Sequence, residues 1–223
     1  MLLAPDAGTV PRGSVAVVID VLRASTTLTV GLANRARDVI PVATPEEALE
    51  LKRREPDALL CGERDGRKIP GFDLGNSPRE YAAEVVSGRT LIFASTNGSL
   101  AMIRARPARR RLLGCFLNAN AVVESLAGED RVALVCAGKL KRFSLEDAAF
   151  AGWVTERLAA RGARVEDESA RFARRLAPRD RFDVRALLEG SSHGRYLRAL
   201  GPEFRRDVAL CATLDHMDQV FEI

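Results

Sequence analysis

Aromatic side chains are scarce in this chain. They make up 5% of 223 residues, with one tryptophan and two tyrosines. A surface for single-stranded nucleic acid interleaves cations with rings on which bases stack. The arginine-rich run from Arg104 to Arg111 lacks such rings and is interrupted by Pro107, so it reads as a solvated face. With 34 basic against 30 acidic residues, the formal charge of +4 does not call for a nucleic-acid partner either. Lysine is rare beside arginine and occurs as Lys52, Lys68, Lys139 and Lys141. The two histidines, His193 and His216, stand apart without metal-ligand spacing. The four cysteines, Cys61, Cys115, Cys136 and Cys211, have no zinc or dithiol spacing. Three of them fall in expected strands, so buried thiols in a reducing cytoplasm are the expectation. No apolar run approaches a membrane span. The opening MLLAPDAG has no basic segment followed by a long apolar run, and is expected not to be a signal peptide.

Several phosphate-site motifs are missing as well. Asp20 follows an apolar run, but Leu22 stands where an aspartyl phosphatase of the haloacid dehalogenase type carries its second Asp. Gly62 and Gly66 are one residue too close for a Walker A loop, and Ile69 follows Lys68 instead of Ser or Thr. No GxGxxG follows the first strand, so a dinucleotide fold has no support.

What is present is a regular alternation. Short β-branched or apolar runs at 15–19, 38–42, 58–61, 90–94, 111–116 and 131–137 read as strands. Helices are expected between them, at 24–33, from Thr44 as N-cap to Arg54, up to Ala105, up to Leu126, and from Ser144 to Arg161. This pattern predicts an α/β fold: a mostly parallel sheet of about six strands with helices on both faces. Beyond Gly162 the composition shifts to short amphipathic helices rich in arginine, with Asp215 to Gln219 as one more. The expected division is an α/β domain over 1–162 and a mainly helical subdomain over 163–223 packed on it.

In parallel sheets, ligands bind at the carboxyl ends of the strands. The polar clusters obey that rule. Asp20 to Thr27, Gly62 to Ser77, Ser95 to Ser99, Asn118 to Asn120 and Gly138 to Asp147 each follow an expected strand. Asp20 closes a core strand, where a lone carboxylate must meet a cation or a metal. Arg23 is the alternative partner. Arg23, Ser25, Thr26 and Thr27 at a helix start form a plausible anion cradle. Gly62 to Tyr81 is an ordered polar loop anchored by Ile69, Phe72 and Leu74. It carries Glu63, Arg64, Lys68, Asp73 and Asn76. It ends in a helix-start signal, with Ser77 as N-cap, Pro78 at N1 and Glu80 closing a capping box. Thr96, Asn97 and Gly98 offer hydroxyl, amide and N–H groups at another helix start, where plain capping is the alternative. Ser144 and Asp147 form a second capping box, which leaves Glu146 free for chemistry.

Five stretches now point further. They are VIDVLRASTT (Val18–Thr27), GER with KIPGFDLGNSP (Gly62–Pro78), STNG (Ser95–Gly98), CAG with FSLED (Cys136–Asp147) and SHGRYL (Ser192–Leu197). With these the chain resembles the 2-phosphosulfolactate phosphatases, the ComB family of the coenzyme M pathway, from Val15 to about Asp215. The resemblance implies a cytoplasmic, Mg²⁺-dependent hydrolase of 2-phospho-3-sulfolactate, with no nucleic-acid or membrane partner, acting as a homodimer. The metal candidates are Asp20, Glu63, Asp73 and Glu146. Catalytic candidates are Asp20, Arg23, Lys68 and Glu146. Substrate candidates are Ser25, Thr26, Arg64, Asn76, Thr96, Asn97, Gly98 and Arg195. KLKR, from Lys139 to Arg142, is bulkier and more basic than the small glycine-containing loop the resemblance implies. The competing readings are a phosphatase for another small phosphorylated acid and a non-catalytic binder of anionic metabolites.

Overall fold

The computed structural model describes residues 9–177 and 182–223; the opening MLLAPDAG, and its reading as no signal peptide, lies outside them. Strand β1 (Val15–Ile19) is the buried centre of a three-stranded parallel sheet between β6 (Arg110–Gly114) and β7 (Val132–Cys136). A second sheet is separate. Its order is β2 (Asp38–Val42), β5 (Thr90–Ala94), β3 (Leu59–Arg64) and the short β4 (Arg67–Lys68), with β4 antiparallel to β3. The six expected core strands therefore form two sheets rather than one.

Alternating strand side chains explain the layers. Val15, Val17 and Ile19 face one apolar cluster, while Ala16 and Val18 face another. That second cluster also takes Leu91 and Phe93 from β5 and Leu59 and Cys61 from β3. Helices α1 (Ala24–Ala33) and α4 (Gly98–Arg104) supply Leu28 and Met102 to it, so they lie between the two sheets. A helix covered by a sheet on each side has no solvent face, which explains why α1 carries no charged residue. Helix α2 (Pro45–Arg54) shows the opposite pattern. It is capped by Thr44, carries charge over most of its surface and buries only Ala48, and the four-residue α3 (Ala83–Val86) follows the middle loop.

The outer face of the first sheet is covered by α5 (Ala119–Ser125), α6 (Leu145–Ala160) and the carboxyl-terminal helices. Helices α8 (Val184–Gly190), α9 (Ser192–Leu200) and α10 (Pro202–Cys211) add Leu188, Leu197 and Val208 to the cluster that holds Val17 and Phe150. Helix α7 (Glu168–Arg174) lies so close to α6 that a Cβ on Gly152 would fall 1.9 Å from the Ala173 carbonyl oxygen.

Two further expectations change. Residues 215–219 form no helix. The chain there runs outside the first sheet: Asp215 N–H donates to Phe116 O at 2.9 Å, and Leu113 N–H to Phe221 O at 3.0 Å. Asp215 has a φ of 53°, unsuited to a helix start. The long middle loop also begins as structure, since β3 runs on to Arg64 and turns into β4. Asp65 and Gly66 turn this hairpin with φ values of 53° and 78°. Asp-Gly is the pair such two-residue hairpin loops favour.

Candidate active site

The carboxyl ends of both sheets open onto one cavity of about 310 Å³. Asp20 follows β1, Glu63 ends β3, Thr96 and Asn97 follow β5, and Lys139 follows β7. Arg23 and Asn76 complete the polar wall, and His193 and Tyr196 come from α9. Parallel packing thus brings together loops far apart in sequence.

Asp20 is buried at 6% exposure, and its backbone N–H donates to Ser25 Oγ at 2.5 Å. Burial pushes its carboxyl up to about 7, with Glu63 and Glu146 adding to the rise and His193 opposing it. Gly98 is needed beside it: a Cβ there would lie 2.6 Å from Asp20 Oδ2 and 2.5 Å from the Ala24 Cβ. Arg23 does not pair with Asp20. It forms a buried ion pair with Asp207 of α10 at 2.7 Å and donates to Gly66 O at 2.5 Å. The Glu63 carboxylate accepts from Thr96 N–H and Gly66 N–H, each at 2.8 Å, which ties β3 to the loop after β5.

Glu146 and Asp147 divide differently from the expected capping box. Ser144 Oγ does accept from Asp147 N–H, at 3.4 Å. The Asp147 carboxylate instead accepts from Val21 N–H at 2.9 Å and Gly138 N–H at 3.0 Å, fastening the turns after β1 and β7 together. Burial holds the Asp147 carboxyl well above the usual range, reinforced by Asp20 and Glu146. Glu146 Oε1 lies 3.2 Å from His193 Nδ1. Burial would raise the Glu146 carboxyl, but the hydrogen bond and charge of His193 outweigh it and the net shift is downward. An ionised carboxylate only accepts, so Nδ1 carries the proton and Nε2 is left for another partner.

Asn replaces one acceptor oxygen of Asp147 with an NH₂ that faces a backbone donor. Asp147→Asn is therefore expected to cost about 1–3 kcal/mol, the scale of a buried unsatisfied polar group. It should also lower turnover, because Val21 adjoins Asp20. Glu146→Gln keeps an acceptor for His193 Nδ1–H but loses the charge that favours the imidazolium, and is expected to lower kcat with a smaller fall in melting temperature than Asp147→Asn. Melting curves and kcat for both variants check this; a destabilised Glu146→Gln beside an intact Asp147→Asn would reverse the assignment.

Other expected site residues lie outside the cavity. Asp73 Oδ2 accepts from Leu60 N–H at 2.8 Å, and Lys68 Nζ donates to Asp73 O at 3.4 Å. Lys68 borders a smaller neighbouring hollow with Arg79 and Glu203. The Arg64 guanidinium donates to Glu63 O and Ala43 O, and Arg195 donates to Gly190 O. Ser25 Oγ serves the backbone of Asp20 and Val18, and Thr26 Oγ1 donates to Val21 O. Asn118 serves Cys115 N–H and Leu113 O, away from the cavity. The four carboxylates expected to share a metal do not gather: among the described residues no three His, Cys, Asp or Glu side chains form a metal-holding group. The loop after Ser77 is a single 3-10 turn (Pro78–Glu80), and its capping box is absent. Ser77 Oγ donates to Asp207 Oδ1 at 2.6 Å, and Glu80 Oε2 accepts from Gly75 N–H at 2.6 Å.

The site also holds residues not chosen from sequence. Lys139, Tyr196 and the Asp65–Gly66 turn line it. The hairpin signal was visible in Asp65-Gly66. His193 was visible only as part of SHGRYL, where Ser191 caps α9 by accepting from Gly194 N–H at 2.9 Å.

A family model described as 2-phosphosulpholactate phosphatase matches residues 4–223. The chain belongs to this family. A Thermotoga petrophila protein described as a probable 2-phosphosulfolactate phosphatase is 44% identical over 200 residues, covering 90% of this chain and 85% of its own. One of the same description from Symbiobacterium thermophilum is 45% identical over 206 residues, covering 91% and 88%. A third, from Clostridium acetobutylicum, is 36% identical over 206 residues, covering 92% and 87%. Family membership thus spans both sheets and the helices that carry His193 and Asp207.

Proposed function

We propose that this chain is a magnesium-dependent phosphatase that hydrolyses 2-phospho-3-sulfolactate to 3-sulfolactate and phosphate. The observation that carries the reading is a buried Asp20, near neutrality, in a cavity shared with a Glu146-oriented His193. The family match and the names of its relatives support the substrate class.

The donor chemistry supports magnesium. Asn76 Oδ1 and Thr96 Oγ1 are buried and meet no hydrogen-bond partner among the described residues. Both residues line the cavity with Asp20, and no cysteine does. Oxygen donors with a single strong carboxylate suit Mg²⁺, which keeps waters and shares the phosphate oxygens of its substrate. Asp20 and Asn76 would hold the ion, with the Thr96 hydroxyl as a further oxygen. Bound there, it would neutralise phosphate charge and polarise the phosphorus.

The protein's own groups supply the rest. Glu63 keeps Thr96 in place through its N–H. Gly98 lets the loop after β5 approach Asp20. The departing oxygen of a 2-hydroxy acid is a poor leaving group until protonated. His193, with Nδ1–H engaged by the Glu146 carboxylate, is placed to deliver that proton from Nε2 when the ring enters the reaction as the imidazolium, leaving Nδ1–H in place.

Phosphate release from 2-phospho-3-sulfolactate and related phospho-acids, with and without Mg²⁺, tests the reading. Turnover is expected to stop in excess EDTA and return with excess Mg²⁺. Mg²⁺ should also raise the melting temperature of the metal-free protein. Full turnover in EDTA would remove magnesium from the proposal, and release from no phospho-acid would remove the phosphatase.

A further inference from the structure

Every other cation of the cavity is already engaged. Arg23 lines the cavity but is neutralised by Asp207, and its second nitrogen donates to Gly66 O. His193 faces Glu146. Lys139 also lines the cavity; among the described residues no ion pair holds it, burial pushes its ammonium below the usual range, and the Glu146 charge acts against that fall.

Its position is built, not loose. Lys139 and Arg142 close a small hairpin by exchanging backbone hydrogen bonds of 2.9 Å each. Leu140 and Lys141 turn it with φ values of 50° and 61°. Asn97 Oδ1 accepts from Leu140 N–H at 2.9 Å, which fixes the turn to the loop after β5. The Lys139 ammonium sits 4.7 Å from the centre of the Tyr196 ring. A ring face at that distance attracts a cation without neutralising it. The charge is thus held at the cavity wall and remains available to an incoming anion.

From this geometry we infer that Lys139 is a specificity-determining residue, which binds an anionic group of the substrate other than the phosphate being removed. The group is a carboxylate or a sulfonate, both of which offer oxygens to a lysine. Arg23 cannot serve this role while its charge is balanced by Asp207. Asp20 and Glu63 would repel a second anion elsewhere along the wall, so the Lys139 side is where the polyanion can rest. The inference rests on the phosphatase reading, and it narrows that reading to acids with a charge at the non-reacting end.

The test uses Lys139→Met, which keeps the length and removes the charge, and Lys139→Arg, which restores it. Thermal melts establish that both variants fold. Steady-state phosphate release is measured on four substrates: 2-phospho-3-sulfolactate, 2-phospholactate without the sulfonate, 2-phosphooxyethanesulfonate without the carboxylate, and ethyl phosphate with neither. In K139M, KM for 2-phospho-3-sulfolactate, and for the truncated substrate that keeps the group Lys139 reads, is expected to rise about tenfold relative to any change on ethyl phosphate, the scale of losing a charge-assisted contact. K139R should recover part of it. Whichever truncated substrate is insensitive to K139M lacks the group that Lys139 reads. An equal change on ethyl phosphate, or none on any substrate, overturns the inference. If the wild type releases phosphate from none of the four, the phosphatase reading has failed, and calorimetry decides Lys139 separately. Weaker sulfolactate binding in K139M with unchanged binding of inorganic phosphate supports it. Equal sulfolactate affinity in both proteins, or none in the wild type, overturns it.

Discussion

Asp20→Asn is expected to lose at least ~10²-fold in turnover, the scale of removing one preorganised electrostatic group, while melting higher than the wild type in the absence of metal at alkaline pH. Both effects have one cause. The wild-type carboxyl is raised from 3.8 to about 7 by burial first and then by Glu63 and Glu146. A carboxyl raised on folding binds more protons in the folded state. Between the unfolded and folded pKa values, stability therefore falls as pH rises, and the cost is complete above about 7. The shift corresponds to roughly 4 kcal/mol at most, at 1.36 kcal/mol per pKa unit. Asn has the same shape, so Gly98 and Ala24 meet no new bulk, and it carries no charge to bury. The gain should shrink towards pH 4 and should vanish when Mg²⁺ stabilises the wild-type carboxylate. Melting temperatures of both proteins from pH 4 to 9, with and without Mg²⁺, and kcat at pH 7.5 check this. Near-normal turnover, or no gain in stability at pH 9, would return Asp20 to an ordinary structural role.

The second large effect belongs to Asp207. Its side chain and that of Arg23 are 2% and 3% exposed, and they meet at 2.7 Å. Ser77 Oγ donates to the other carboxylate oxygen, and Arg79 stands 3.7 Å away. The Arg23 guanidinium also lies 5.1 Å from the Phe204 ring centre. Removing one member of a buried pair leaves the other charge unsatisfied and costs about 3–5 kcal/mol. Asp207→Ala is expected to destabilise on that scale. Because α10 carries Asp207 while Arg23 lines the cavity, activity should fall with it. Combining Asp207→Leu with Arg23→Met should recover most of the stability but not the activity. Urea midpoints at unchanged m-value measure the first part, and phosphate release the second. A single Asp207 variant within about 0.5 kcal/mol of the wild type, the range of ordinary surface changes, would mean the ion pair does not hold.

How legible all this was in the sequence depended on the distance over which each interaction acts. Strands β1, β2 and β5 follow from their own β-branched composition, and Thr44 announces α2 because a cap is a local hydrogen bond. The placement of Asp20, Glu63, Thr96 and Asn97 at one strand end follows from parallel alternation alone. The division into two sheets does not, because it depends on what covers α1 on its second face. A hint was present, since ASTTLTVGLA has no charge to offer water. Residues that looked like metal or substrate ligands by type, such as Asp73, Arg64 and Arg195, are engaged with nearby backbone groups. Residue type records what a side chain can do, whereas its partner is chosen by the fold. Asp207 shows the reverse. It sits in an arginine-rich helical segment without any motif, yet it neutralises a cation of the cavity from 184 residues away.

The walls of the cavity belong to two sheets with no strand in common. Asp20 and Lys139 travel with one, while Glu63 and Thr96 travel with the other. The gap between these sets is spanned by the buried helices α1 and α4, which act as a spacer whose thickness is set by Leu28 and Met102. The cavity's calibre is therefore inherited from packing well away from the chemistry. Lineages could widen or tighten it for different substrates by changing a methyl group in the spacer, with every polar residue of the site left in place.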